Sequence, residues 1–213
     1  MQLPLSGRAT NNTVAYRGSA LRPTAVIALL LLTMTVGAEA HTDGGSASGF
    51  VNGFTHPLLG PDHIVAMIAV GLWGAILGAP AVWLLPVVFP SVMAFGGALG
   101  VLGVPLPGIE AGIAASGIIL GLMVLFASRP SLWKAAFLVA IFAIFHGHAH
   151  GTELPNSANP LTYSIGFVVS TGLLHLGGIA FGLLSQFPWG LKLVRGCGGL
   201  IACVGTGYLL HWL

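Results

Sequence analysis

The sequence predicts an all-α integral membrane protein, a bundle of six transmembrane helices following a cleavable signal peptide. Three observations carry that expectation. The 213 residues are 55% hydrophobic and only 6% charged, where a soluble domain carries about a quarter charged residues. Beyond residue 48 the chain is a succession of apolar runs separated by short Pro, Gly or charged breaks. The few Lys and Arg residues fall only in alternate connections, as the positive-inside rule requires.

Taken in chain order, Arg17 and Arg22 precede TAVIALLLLTMTV at 24–36, a run shorter than the roughly 20 residues that cross a bilayer, and AEA at 38–40 fits the A-x-A cleavage rule. Residues 1–40 are therefore read as a signal peptide and 41–51 as a short polar leader outside the membrane. The transmembrane domain is 52–213, with spans expected near 52–78, 81–103, 109–128, 132–150, 161–186 and 190–212. Arg129 and Lys134 lie between the third and fourth spans, Lys192 and Arg195 between the fifth and sixth. Both connections face the cytoplasm if the mature N-terminus is outside, which places the C-terminus outside as well.

The 32 glycines recur in small-xxx-small spacing at Gly74/Gly78, Gly96/Gly100, Gly117/Gly121 and Gly178/Gly182. Such spacing lets helices approach closely where lipid supplies no hydrophobic drive. Cys197 and Cys203, six apart, point to different sides of a helix and read as small packing residues. Near-zero net charge and the lack of a basic cluster exclude nucleic acid as a partner.

Eight histidines outnumber either charge class, and intramembrane ionisable groups mark functional pathways. The stretch HPLLGPDH at 56–63 opens the first span with His56, Asp62 and His63. Its prolines remove backbone donors and bias His56 and Gly60 away from helical dihedrals, so irregular backbone is expected here, with regular helix from about Asp62. In an unbroken helix His56 and His63 would lie about 10 Å apart along the axis, so the break is needed to bring them together. Met67 follows His63 on the same face. The fourth span ends in IFHGHAHGTELP, where His146, His150 and Glu153 share a face and His148 points elsewhere.

From Lys134 to His146 is about 18 Å of helix rise, which places this second motif at the same outer depth as the first. Imidazole nitrogens with a carboxylate suit a borderline divalent metal. Helix capping by Asp62, or a His-rich loop that binds metal casually or senses pH, are the plainer readings. Glu110, in PGIEAG, is deep enough to join the site or simply suits a helix N-terminus. His175, about 20 Å into the fifth span, reads either as a second station with Ser170 and Thr171 a turn above or as a histidine bonded between helices. His41, the first residue after cleavage, offers an amine and an imidazole on a GGSASG tether, or is an ordinary flexible leader.

These motifs resemble a known family. HPLLGPDHIVAMIAVG is similar to the H-P-L-x-G-x-D-H-x-x-x-M-x-x-x-G signature of the HupE/UreJ family of nickel and cobalt permeases, and FHGHAHGTE to its F-H-G-x-A-H-G-x-E signature. The resemblance implies a six-span inner-membrane importer of Ni2+ or Co2+, with His56, Asp62, His63, His146, His150 and Glu153 on the metal pathway and Glu110 a further member; His148 sits at a variable position. It also implies metal supply to hydrogenase, urease or cobalamin pathways. No permanently bound cofactor is expected, since the metal is cargo, and the partners are the ion and the lipid bilayer. No G-x-x-x-x-G-K-[ST] sequence occurs, so ATP is not the direct energy source. Two other classes compete: a membrane-embedded metal-dependent hydrolase, which lacks H-E-x-x-H, and a haem electron carrier, which leaves Asp62 and Glu153 without a role.

Overall fold

The computed structural model describes residues 46–154 and 159–213; the expected signal peptide, His41 and the start of the leader lie outside them. Among the described residues there is no strand. The helices are α1 Ser46–Leu59, α2 Pro61–Leu77, α3 Ala81–Val101, α4 Ile109–Leu125, α5 Leu132–Thr152, α6 Pro160–Gly182 and α7 Pro188–Leu209, with a 3-10 turn at Leu183–Gln186 before the last.

The first expected span is two helices. α1 and α2 meet at Gly60 with a bend of 83°. Gly60 is extended (φ −100°, ψ 102°), Pro61 takes the first helical position of α2, and the Gly60 carbonyl accepts from Ile64 N–H at 3.0 Å. A missing N–H costs nothing at that position, where it would have no intrahelical partner. The expectation of irregular backbone from His56 onward is corrected, because His56 and Pro57 both lie within α1 and only Gly60 breaks the helix. Packing explains the difference. α1 lies along α6 so closely that a Cβ on Gly53 would overlap Tyr163 backbone and one on Gly166 would overlap Phe50 backbone, and such contact outweighs a local pre-proline preference. α1 also begins at Ser46, inside the segment assigned to the leader.

The helices pack along their lengths in four pairings: α3 with α5, α4 with α7, and α6 with both α1 and α2. α2 is central, since it touches α3, α4, α6 and α7. Three of the four small-residue pairs are close-packing faces: Gly96/Gly100 against α5, Gly117/Gly121 against α7, and Gly178/Gly182 against α2. Gly78 departs from that expectation. It ends α2 with φ 78°, a conformation that glycine adopts without strain, and nothing packs against it. Cys197 and Cys203 are unpaired.

Large apolar side chains such as Trp83, Phe95, Phe137 and Leu173 stand on the outside of the bundle, an arrangement suited to lipid and costly in water. By length and composition α3, α5 and Pro160–Gln186 can each cross a bilayer, and the bent α1–α2 pair makes a fourth; α4, with 17 residues, is shorter. The basic residues gather at one end. Arg195 Nε–H donates to the Leu125 carbonyl at the end of α4 at 2.6 Å, close in sequence to Arg129. The histidine motif at the C-terminal end of α5 is at the opposite end of that helix from Lys134.

Candidate metal centre

The bend at Gly60 and the last two turns of α5 bring the two histidine motifs together. His56, from the last turn of α1, places its Nε2 2.9 Å from His150 Nδ1 and 3.2 Å from a Glu153 oxygen. Ligand atoms of His56, His150 and Glu153 all lie within 4.8 Å of one another. Metal–nitrogen bonds of about 2.0–2.1 Å at right angles hold two nitrogens about 2.9 Å apart. The His56–His150 spacing matches adjacent ligands on one ion and equally a hydrogen bond between the two rings that leaves His150 Nε2 free.

His63 continues the line, its ring centroid 4.5 Å from that of His150 and 4.8 Å from that of His146. Two neighbours set the imidazole tautomers here. The Asp62 carboxylate accepts both the His63 backbone N–H at 2.9 Å and the His63 Nδ1–H at 2.8 Å. With Nδ1 protonated, His63 Nε2 carries its lone pair, and that buried atom has no partner. Ser116 donates its hydroxyl proton to the Ile113 carbonyl at 2.6 Å, so its oxygen accepts from His146 Nε2–H at 2.9 Å. His146 Nδ1 is then the bare nitrogen, and it too is buried without a partner, as is His150 Nε2. Holding one ring nitrogen by hydrogen bond and leaving the other free is the usual arrangement behind a histidine ligand.

A cavity of about 350 Å3 opens on this cluster, lined by His56, Asp62, His63, Glu110, His150 and Glu153. A second cavity of about 420 Å3 shares Asp62 and Glu110 with it and reaches Tyr208 of α7 and His211 and Leu213 beyond that helix. Aromatic rings wall the cluster: Tyr163 and Phe167 of α6 lie 5.9 and 4.4 Å from the His56 and His150 rings respectively.

Of the residues singled out from sequence, His56, Asp62, His63, His146, His150 and Glu153 are brought together. Glu110 lines the cavity from the exposed first turn of α4, without joining the close group. Asp62 orients His63, a role distinct from direct ligation. His148 donates from Nε2 to the Val104 carbonyl at 2.7 Å and ties α5 to the segment after α3. Met67 is fully buried in the apolar core and does not line the cavity. His175 lies deeper, beyond Phe89. Sequence reasoning missed Ser116 and Phe89, whose neighbours are set by helix packing rather than by any motif of their own.

A bundle of apolar helices around a histidine-lined cavity defines a membrane protein with a polar centre held between its helices. The family described as HupE / UreJ protein matches residues 28–208, and Protein HupE of Rhizobium leguminosarum bv. viciae is 43% identical over 173 residues, 81% of this chain and 90% of that protein. The chain belongs to the HupE / UreJ family. No solved structure matches it. This membership does not favour the hydrolase alternative.

Proposed function

We propose that the chain is a secondary or facilitated permease that imports Ni2+ or Co2+ across the inner membrane, with six crossings and with both mature termini outside. The single observation that carries this reading is the convergence of four imidazoles from α1, α2 and α5, three of which keep a buried ring nitrogen without a partner. Leaving a buried polar atom unpaired costs about 1–3 kcal/mol. Three such atoms on neighbouring rings are accounted for if a cation takes their lone pairs.

In this reading α1–α2 is the first crossing, and α3, α4, α5, α6 and α7 the rest. α4 spans about 26 Å, a length that modest local thinning of the bilayer accommodates. Lys192 and Arg195 lie in the first turns of α7, where long basic side chains reach the interface. The outer mouth with Glu110, Glu153 and His56 receives the hydrated ion, and imidazoles replace its water as it moves inward. The metal is cargo, bound in passage. An inside-negative potential favours a divalent cation by about 4.6 kcal/mol per 100 mV, enough to drive accumulation without ATP. The imported metal would serve hydrogenase, urease or cobalamin assembly.

The test is uptake of radiolabelled nickel, with cobalt as competitor, by cells making the wild type, His63→Ala or His146→Ala at matched membrane levels. Uptake above empty-vector cells that both variants lose is expected. Wild-type uptake at the empty-vector level would overturn the permease reading.

A further inference from the structure

Past the outer cluster the line of rings continues inward. Phe89, fully buried on α3, has its ring 5.5 Å from that of His146 and 5.3 Å from that of His175 on α6. One phenyl ring thus separates the innermost histidine of the cluster from a further imidazole. His175 is 1% exposed, and neither of its ring nitrogens has a hydrogen-bond partner. A histidine bonded between helices would show at least one.

The hydroxyls beside it are equally unusual. Thr171 is one turn before His175 on the same face of α6, and Ser170 is next to it; both are buried, and neither hydroxyl has a partner. Helical Ser and Thr ordinarily donate back to a carbonyl three or four residues earlier. Thr55, Ser91, Ser164 and Thr206 all do so in this chain. Here two adjacent hydroxyls and an imidazole keep their lone pairs and protons free at one place in the bundle. α2 closes over this stretch so tightly that a Cβ on Gly71 would overlap the His175 carbonyl.

We propose that His175, with Thr171 and Ser170, forms an inner station for the transported divalent cation, one step beyond the outer cluster and separated from it by Phe89. The inference rests on the permease reading. The station holds one imidazole and two hydroxyls and lacks the carboxylates that the outer mouth supplies, so it binds the ion more weakly. That order suits release, since conduction needs sites strong enough to admit an ion and weak enough to let it go.

The experiment uses the full chain in lipid nanodiscs with Co2+ as the probe, beside nickel uptake in cells. Wild-type protein is expected to show a tight and a weaker class of bound cobalt. His150→Ala should lose the tight class and keep the weaker, and His175→Ala the reverse; the retained tight class also shows that the His175 variant is folded. His175→Cys should add a thiolate-to-cobalt charge-transfer band, which a purely structural role for His175 would not produce, and which should persist when combined with His150→Ala. Uptake by His175→Ala should fall about tenfold or more, a loss of the size seen when a metal-site partner is removed. Cobalt binding in His175→Ala equal to wild type, or a cysteine variant without the band, would show that the ion does not stop at His175 and would overturn the station. The permease reading would survive that result as long as wild-type uptake holds.

Discussion

Ser116 shows how a small residue decides what a large one can do. Because it gives its proton to the Ile113 carbonyl, it presents only lone pairs to His146 and fixes that ring with Nε2–H. Ser116→Ala removes the acceptor, leaves a buried N–H unpaired, and frees the ring to take the other tautomer. Nickel affinity is expected to fall about 10–100-fold, as for loss of an outer-shell partner, with the fold retained. Titration of the purified variant with nickel checks this, and unchanged affinity would remove the tautomer argument. The histidines and acids of the cluster were legible in the sequence because ligand types stand out among so few polar residues. Ser116 was not, because its role depends on which helix lies across from α4. Helical spacing places Met67 below His63, and packing sets it in the apolar core.

At the scale of elements, the bend between α1 and α2 makes the site. A continuous helix would hold His56 and His63 about 10 Å apart along its axis, whereas the 83° turn at Gly60 places both rings against His150. Gly60 is also needed for space. A Cβ there would stand 3.0 Å from both Asp62 Oδ1 and His63 Nδ1, crowding the hydrogen bond that orients His63. Its φ of −100° is open to alanine, so Gly60→Ala should fold and reach the membrane at wild-type levels while nickel uptake drops severalfold or more. Uptake equal to wild type would show that the pair tolerates the displacement. The sequence announced a break in this stretch through its two prolines, but not that it would shrink to one residue. That depended on α6 holding α1 helical through His56 and Pro57, a tertiary contact without local signature.

Across the whole molecule, polarity is distributed by depth. Basic residues sit at one end, where Arg195 closes on Leu125; the acids and imidazoles lie toward the other. Between them stand apolar packing, Phe89 and the partnerless His175 group. The helical class was legible because it follows from composition, which no tertiary contact can alter. The pairing of α3 with α5 and of α4 with α7 was not, since the glycine pairs mark faces that pack without naming the partner. The most direct measurement is nickel accumulation by liposomes that contain only the purified chain, with metal outside and an inside-negative potential imposed. Accumulation well above empty liposomes is expected, and it should be lost in a His63→Ala and His150→Ala double variant. Accumulation no greater than in empty liposomes, or undiminished in the double variant, would contradict a metal path through the histidine cluster.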